Sequence, residues 1–253
     1  MISWGIPDVM SRWRYSKTFL PLSAGILLFA LMACTWIQVS YWKDSTTLFE
    51  HALAVTEKNH LIHNNMGFIL WKQGGEDESI AHYLEAVCFS PNNAQEYAEA
   101  NNNTGIAFAK KGEMDQAVKH FMLALRFKPD FAKAKYNLGV SMLEKGKYDE
   151  AIAYYLDTIR SDPEFIEAYY NLGVVFAKKG AFDKAIENYF EAVRLNRNYA
   201  DAYDGLGVAF YELGKIDEAK RYLSRALEIE PDHSAARYNF KILFHKSAKP
   251  DAG

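Results

Sequence analysis

The sequence predicts an all-α protein, a solenoid of stacked helical hairpins preceded by one transmembrane helix. Three observations carry this. Gly105, Gly139, Gly173 and Gly207 recur every 34 residues, the length of a helical hairpin that buries its apolar face only against its neighbours. A run of 21 residues without charge, 19–39, stands near the start. The chain as a whole is 49% hydrophobic and 24% charged, the make-up of an ordered globular protein rather than a disordered one.

As a helix rising about 1.5 Å per residue, the uncharged run covers roughly 30 Å, the depth of a bilayer core. Pro21 falls in its first turn, where a missing N–H costs least. Trp36, Tyr41 and Trp42 form an aromatic belt at the far end, which places the transmembrane helix at 19–42. The flank 1–18 carries +2 from Arg12, Arg14 and Lys17 against Asp8, whereas Lys43 is followed at once by Asp44. The positive-inside rule then expects a cytoplasmic flank 1–18 and repeats on the translocated side, periplasmic or lumenal. A cleaved signal is the alternative: Leu31-Met32-Ala33-Cys34 resembles a lipoprotein processing box, with Cys34 as the acylated residue. Against it, residues 35–39 continue the apolar helix where a lipoprotein has a polar tether.

After the span, residues 43–59 are expected to form a half-repeat linker helix, with Phe49 and Ala52 in the register of a second hairpin helix. Five units of equal length follow over 60–233: 60–93, 98–131, 132–165, 166–199 and 200–233. Position 8 is Gly67, Gly105, Gly139, Gly173 and Gly207; position 20 is Ser79, Ala117, Ala151, Ala185 and Ala219; position 27 is Ala86, Ala124, Thr158, Ala192 and Ala226. These small residues let the two helices of a hairpin, A and B, approach closely, while Tyr83, Phe121, Tyr155, Tyr189 and Leu223 at position 24 fill the space between hairpins. Glycine at position 15 (Gly74, Gly112, Gly146, Gly180, Gly214) ends helix A with a left-handed cap. Aspartate at position 18 (Asp77, Asp115, Asp149, Asp183, Asp217) is expected to cap helix B. Proline at position 32 (Pro91, Pro129, Pro163, Pro231, with Arg197 the exception) stops helix B.

Small residues at 8, 20 and 27 with proline at 32 are the signature of the tetratricopeptide repeat, which residues 60–233 resemble. The resemblance implies a right-handed α-α superhelix whose A helices line a concave groove. Ala94-Gln95-Glu96-Tyr97 interrupts the phase between the first two units and is expected to be an extra helical turn or a longer loop. Residues 234–246 repeat the A-helix frame with Lys241 in place of the position 8 glycine, which suits a capping helix facing water, and 247–253 form a tail. The stretch from Trp36 to Leu53, with Tyr41-Trp42-Lys43-Asp44-Ser45 and Thr47-Leu48-Phe49-Glu50-His51, resembles the last membrane helix and first lumenal segment of transmembrane-and-tetratricopeptide proteins related to O-mannosyltransferases. In that family the sugar-transfer residues lie in earlier membrane helices, so the resemblance implies that this chain corresponds to the C-terminal part of such a protein.

Function is therefore sought in the groove. Position 6 reads Asn65, Asn103, Asn137, Asn171 and then Gly205. An amide at each rung offers a donor and an acceptor to the backbone of an extended peptide, and the row resembles the asparagine ladder of O-linked N-acetylglucosamine transferase. Asparagine before Leu-Gly can equally serve packing alone. Tyr136 and Tyr170 at position 5 are candidates to hold an apolar or aromatic side chain. A cationic clamp for a C-terminal carboxylate is not encoded, since position 9 reads Phe68, Ile106, Val140, Val174 and Val208. The expected partner is a protein or peptide segment, with the membrane engaged through 19–42 and the chain acting as an anchored scaffold. The alternative is an accessory or substrate-presenting portion of a membrane protein O-glycosyltransferase whose catalytic domain this chain lacks.

Other classes find little support. Outside the flank the chain carries −5, a poor match for nucleic acid. No phosphate loop, nucleophile elbow or metal motif is present, so no catalytic residue, cofactor or small-molecule substrate is expected. His60 and His63 could share a helix face, but no carboxylate or cysteine completes a ligand set. Cys34 and Cys88 are not expected to pair.

Overall fold

The structure, a computed structural model, describes residues 23, 26–36, 44–56, 58–90 and 93–245. From Ser45 onward the described residues form helices and no strand: α1 (Ser45–Val55), α2 (His60–Gln73), α3 (Glu76–Phe89), α4 (Ala94–Lys110), α5 (Met114–Phe127), α6 (Ala132–Glu144), α7 (Tyr148–Ser161), α8 (Ile166–Lys178), α9 (Phe182–Leu195), α10 (Ala200–Glu212), α11 (Ile216–Ile229) and α12 (Ser234–His245). They pair as hairpins α2/α3, α4/α5, α6/α7, α8/α9 and α10/α11, each B helix also packing on the next A helix. The product is an all-helical solenoid, entered by α1 against α2 and closed by α12 against α10 and α11.

The hairpin turns follow from the position 15 glycines. Gly74, Gly112, Gly146, Gly180 and Gly214 all adopt left-handed φ between 70° and 85°. That conformation lets the residue after each glycine donate its N–H back across the turn, as Glu113 does to Phe108 O and Lys147 to Met142 O, both at 2.9 Å. Position 8 glycines serve a different purpose, close approach. A Cβ on Gly139 would lie 2.6 Å from Cε1 of Tyr155, and one on Gly105 would lie 2.5 Å from Cε1 of Phe121. Ala117, Ala124, Ala151, Ala185, Ala192, Ala219 and Ala226 are wholly buried, as the small-residue rows require. A further row at position 3, Ala134, Ala168, Ala202 and Ala236, is equally buried and escaped the sequence analysis. Where a polar residue replaces alanine it finds a backbone acceptor: Ser79 Oγ donates to Gly67 O at 2.8 Å and Thr158 Oγ1 to Tyr154 O at 2.9 Å.

The position 18 aspartates do not cap helix B through a hydrogen bond. The N-cap is two residues earlier, at Gly75, Glu113, Lys147, Ala181 and Lys215, and none of these caps through its side chain. The carboxylates instead reach the next unit's position 14 lysine: Asp77 to Lys111 at 2.9 Å, Asp115 to Lys145 at 2.6 Å, and Asp149 to Lys179. Their location in the first turn still complements the helix dipole. The row ends where position 14 becomes Leu213.

Residues 94–97 take the helical alternative. They add a turn to the start of α4, which runs 17 residues against 13 for α6, with Asn93 Oδ1 accepting from the N–H groups of Gln95 and Glu96. In α1, Asp44 caps through the Thr47 N–H at 2.8 Å, and Phe49 and Ala52 are half-buried. Half of the expected span 19–42 lies outside the described residues, as do the flank 1–18 and tail 247–253. Residues 26–36 are helical with exposed apolar side chains, including Leu28, Phe29 and Trp36. Among the described residues no helix is long and apolar enough to cross a membrane.

Candidate functional site

The A helices bring the position 5 and 6 side chains of successive units together, and hydrogen bonds join them from unit to unit. Nδ2 of Asn103 donates to Asn64 Oδ1, Nδ2 of Asn137 to Asn102 Oδ1, and Nδ2 of Asn171 to the Tyr136 hydroxyl, each at 2.9 Å. The capping helix repeats the pattern, with Asn239 Nδ2 donating to Asp204 Oδ1 at 2.9 Å. The asparagine row is thus an inter-unit ladder first. Each amide has a second N–H and its own carbonyl oxygen beyond that bond. Asn65, the first member, is exposed, whereas Asn103, Asn137 and Asn171 are half-buried. The row is readable in sequence; its partners are not, because they lie 35 or 39 residues away.

Gly205 breaks the ladder for a steric reason. A Cβ there would fall 2.7 Å from Cζ of Tyr189, so the ring occupies the place of the missing side chain. Tyr170, which stands where Tyr136 stands one unit earlier, consequently faces glycine instead of an amide. Tyr136 and Tyr170 do not project freely. Tyr136 lies 4.9 Å from Phe165 and 5.9 Å from Tyr155 by ring centroids, and Tyr170 lies 5.2 Å from Tyr199 and 5.8 Å from Tyr189. Burial, reinforced by Asp201 and Asp204, pushes the Tyr170 hydroxyl up to about 12. Burial also raises the Asp204 carboxyl, against the hydrogen bond from Asn239 that favours its ionised form. This end of the row is therefore aromatic and acidic.

The other end is aromatic and basic. Phe68 and Trp71 stack at 6.1 Å and, with Tyr83, Asn103 and Ile106, line a hollow of about 100 Å³ between the first two units. Lys72 Nζ sits 4.5 Å from the Phe68 ring centroid and Lys110 Nζ 5.1 Å from that of Trp71. Sequence reasoning noted Phe68 only as evidence against a carboxylate clamp and missed Trp71. The signal was there, since no other unit has aromatic residues at both positions 9 and 12.

His60 and His63 do not converge. His60 Nε2 lies 2.6 Å from Glu96, while His63 Nδ1 meets His82 Nδ1 at 3.1 Å across the hairpin. Burial lowers both His63 and His82, so one neutral ring donates to the other. No group of three metal-ligating side chains exists among the described residues.

Comparison with known proteins agrees with this geometry. Tetratricopeptide repeat models match residues 105–164, 136–203 and 176–241. A 94-residue segment is 30% identical to protein O-mannosyl-transferase Tmtc2 of Drosophila melanogaster, covering 37% of this chain but only 10% of that protein. Among solved structures, YrrB, described as a tetratricopeptide protein with an unusual peptide-binding site, superposes with a TM-score of 0.58 at 22% identity over 76% of this chain and 97% of its own. A MamA structure is 28% identical over 66% of this chain and 95% of its own, with a TM-score of 0.58. MamA from Desulfovibrio magneticus RS-1 reaches 0.61 at 22% identity, covering 71% and 98%.

Proposed function

This chain belongs to the tetratricopeptide repeat family, and from that premise we propose that it is a membrane-anchored scaffold binding an extended segment of a partner protein along a concave groove. The observation that carries the reading is the amide ladder. Asn103, Asn137 and Asn171 recur at one per rung, held in register by their bonds to the preceding unit. Fixed amides lose little freedom on binding, and their remaining donors and acceptors match the polar backbone of an extended chain. The anchor is the uncharged run 19–39, with the right-handed superhelix displayed on the translocated side.

Crosslinking in intact membranes, followed by identification of captured proteins, tests the groove. Replacing Asn103, Asn137 and Asn171 together by alanine should abolish capture while the helical content stays constant; unchanged capture refutes the ladder's role. Reporter fusions at residue 253 test the topology, and activity confined to cytoplasm-specific reporters refutes it.

The similarity to protein O-mannosyl-transferase Tmtc2 favours a second reading, a substrate-presenting portion of a membrane protein O-glycosyltransferase. Under that reading the captured segments carry Ser or Thr that become mannosylated. Captured segments that never acquire sugar refute it and leave the scaffold reading intact.

A further inference from the structure

We propose, resting on the groove reading above, that the hollow between units one and two is an anchoring subsite. It takes one bulky apolar side chain of the extended partner segment, flanked by aspartate or glutamate. The hollow is of side-chain size: about 100 Å³ here, against the ~150 Å³ cavity that admits a benzene ring. Its lining is predominantly apolar and includes Asn103, a ladder member. Phe68 at its mouth is 46% exposed, an aromatic surface that a partner would cover.

Charge selects the neighbours of that side chain. The ammonium groups of Lys72 and Lys110 lie over the two rings, while the nearby Glu76 carboxylate is 3.8 Å from Lys110. The mouth therefore keeps a positive excess. The opposite end of the row carries Glu167, Asp201 beside His233 at 3.0 Å, and Asp204 bonded by Asn239, and this end disfavours an acidic segment. The Trp71 indole N–H is itself buried without an acceptor among the described residues. Units three to five offer no such anchor: at positions 9 and 12 they carry Val140 and Leu143, Val174 and Ala177, Val208 and Tyr211.

The test is to pan the full-length, detergent-solubilised protein with a randomised peptide library displayed on phage. Enriched peptides are then titrated against the unaltered chain, Phe68→Ala, Lys72→Glu/Lys110→Glu and Asn171→Ala. Phe68 and both lysines are exposed, so these changes leave the fold intact, which circular dichroism verifies. The expected result is a shared bulky apolar residue beside Asp or Glu. Phe68→Ala should weaken binding about tenfold or more, and the double charge reversal should weaken it about three- to tenfold at low salt and less at high salt.

Binders lacking the apolar-acidic pattern, or indifferent to Phe68→Ala yet lost with Asn171→Ala, overturn the subsite while the groove stands. Binders indifferent to every one of these changes, or a library that enriches nothing, overturn both. Self-association abolished by Phe68→Ala makes a second copy of the chain the occupant and also overturns the subsite.

Discussion

Gly139→Ala pits helix propensity against close approach. In an isolated helix the change stabilises by about 1 kcal/mol. Here the new methyl would sit 2.6, 2.7 and 3.1 Å from Cε1, Cδ1 and Cζ of Tyr155. Tyr155 is wholly buried among Met142, Ala151, Leu172 and Val175, so its ring cannot retreat without moving the next hairpin. Overpacking of this kind costs about 1–3 kcal/mol. The expected net effect is destabilisation by about 1 kcal/mol, opposite in sign to the propensity gain. Because a solenoid's stability is a sum of unit and interface contributions, the loss should be local. Hydrogen exchange should rise in α6, α7 and α8 and change little in α11. Urea unfolding of Gly139→Ala, Tyr155→Ala and the double variant measures the coupling, since truncating the ring removes the clash. A stabilised Gly139→Ala, or a cycle additive to within about 0.5 kcal/mol, would show that the ring is not what requires glycine.

Asn137→Ala strips the donor from Asn102, which is 4% exposed, and should cost about 1 kcal/mol in denaturant unfolding. His233→Ala removes the side chain whose Nδ1 accepts the Ala236 N–H at 3.1 Å and whose Nε2 lies 3.0 Å from Asp201; losing this cap should cost about 1 kcal/mol and raise hydrogen exchange in α12. Burial lowers His63, His82 and His120 below 6.5, so their contribution is fully present above pH 6.5 and falls as the unfolded chain takes up protons below it. Thermal melts at pH 7.5 and 5.5 should show the loss. His120→Gln, which keeps a donor for Asn101, should shrink it, and an unchanged slope refutes the assignment to His120. The raised Asp204 carboxyl acts oppositely, its destabilisation growing as pH rises from 3.8 through its folded value.

Much of the architecture is legible in the chain because each row encodes a local requirement. Gly146 must adopt φ of 70°, and Gly139 must admit a ring from sixteen residues on; both requirements recur at each repeat, which makes them visible. What escapes is set by contacts between units. Asp115 reads as a helix cap but bonds to Lys145, thirty residues away, because the hairpin stacking brings that lysine over it. Asn171 reads as a ligand for a partner, yet its acceptor is the hydroxyl of Tyr136. The hollow at Phe68 and Trp71 escapes for a further reason. It exists only because Ile106 and Asn103 of the next unit close one side.

The glycine at position 205 divides the stack into two kinds of joint. At three successive junctions a single directional bond between side chains supplements the helix packing and the Asp–Lys ion pair. At the fourth, the Tyr189 ring rests on bare backbone. The row of inter-unit amides is therefore interrupted at Gly205 and resumes only at Asn239 of the capping helix, which bonds to Asp204.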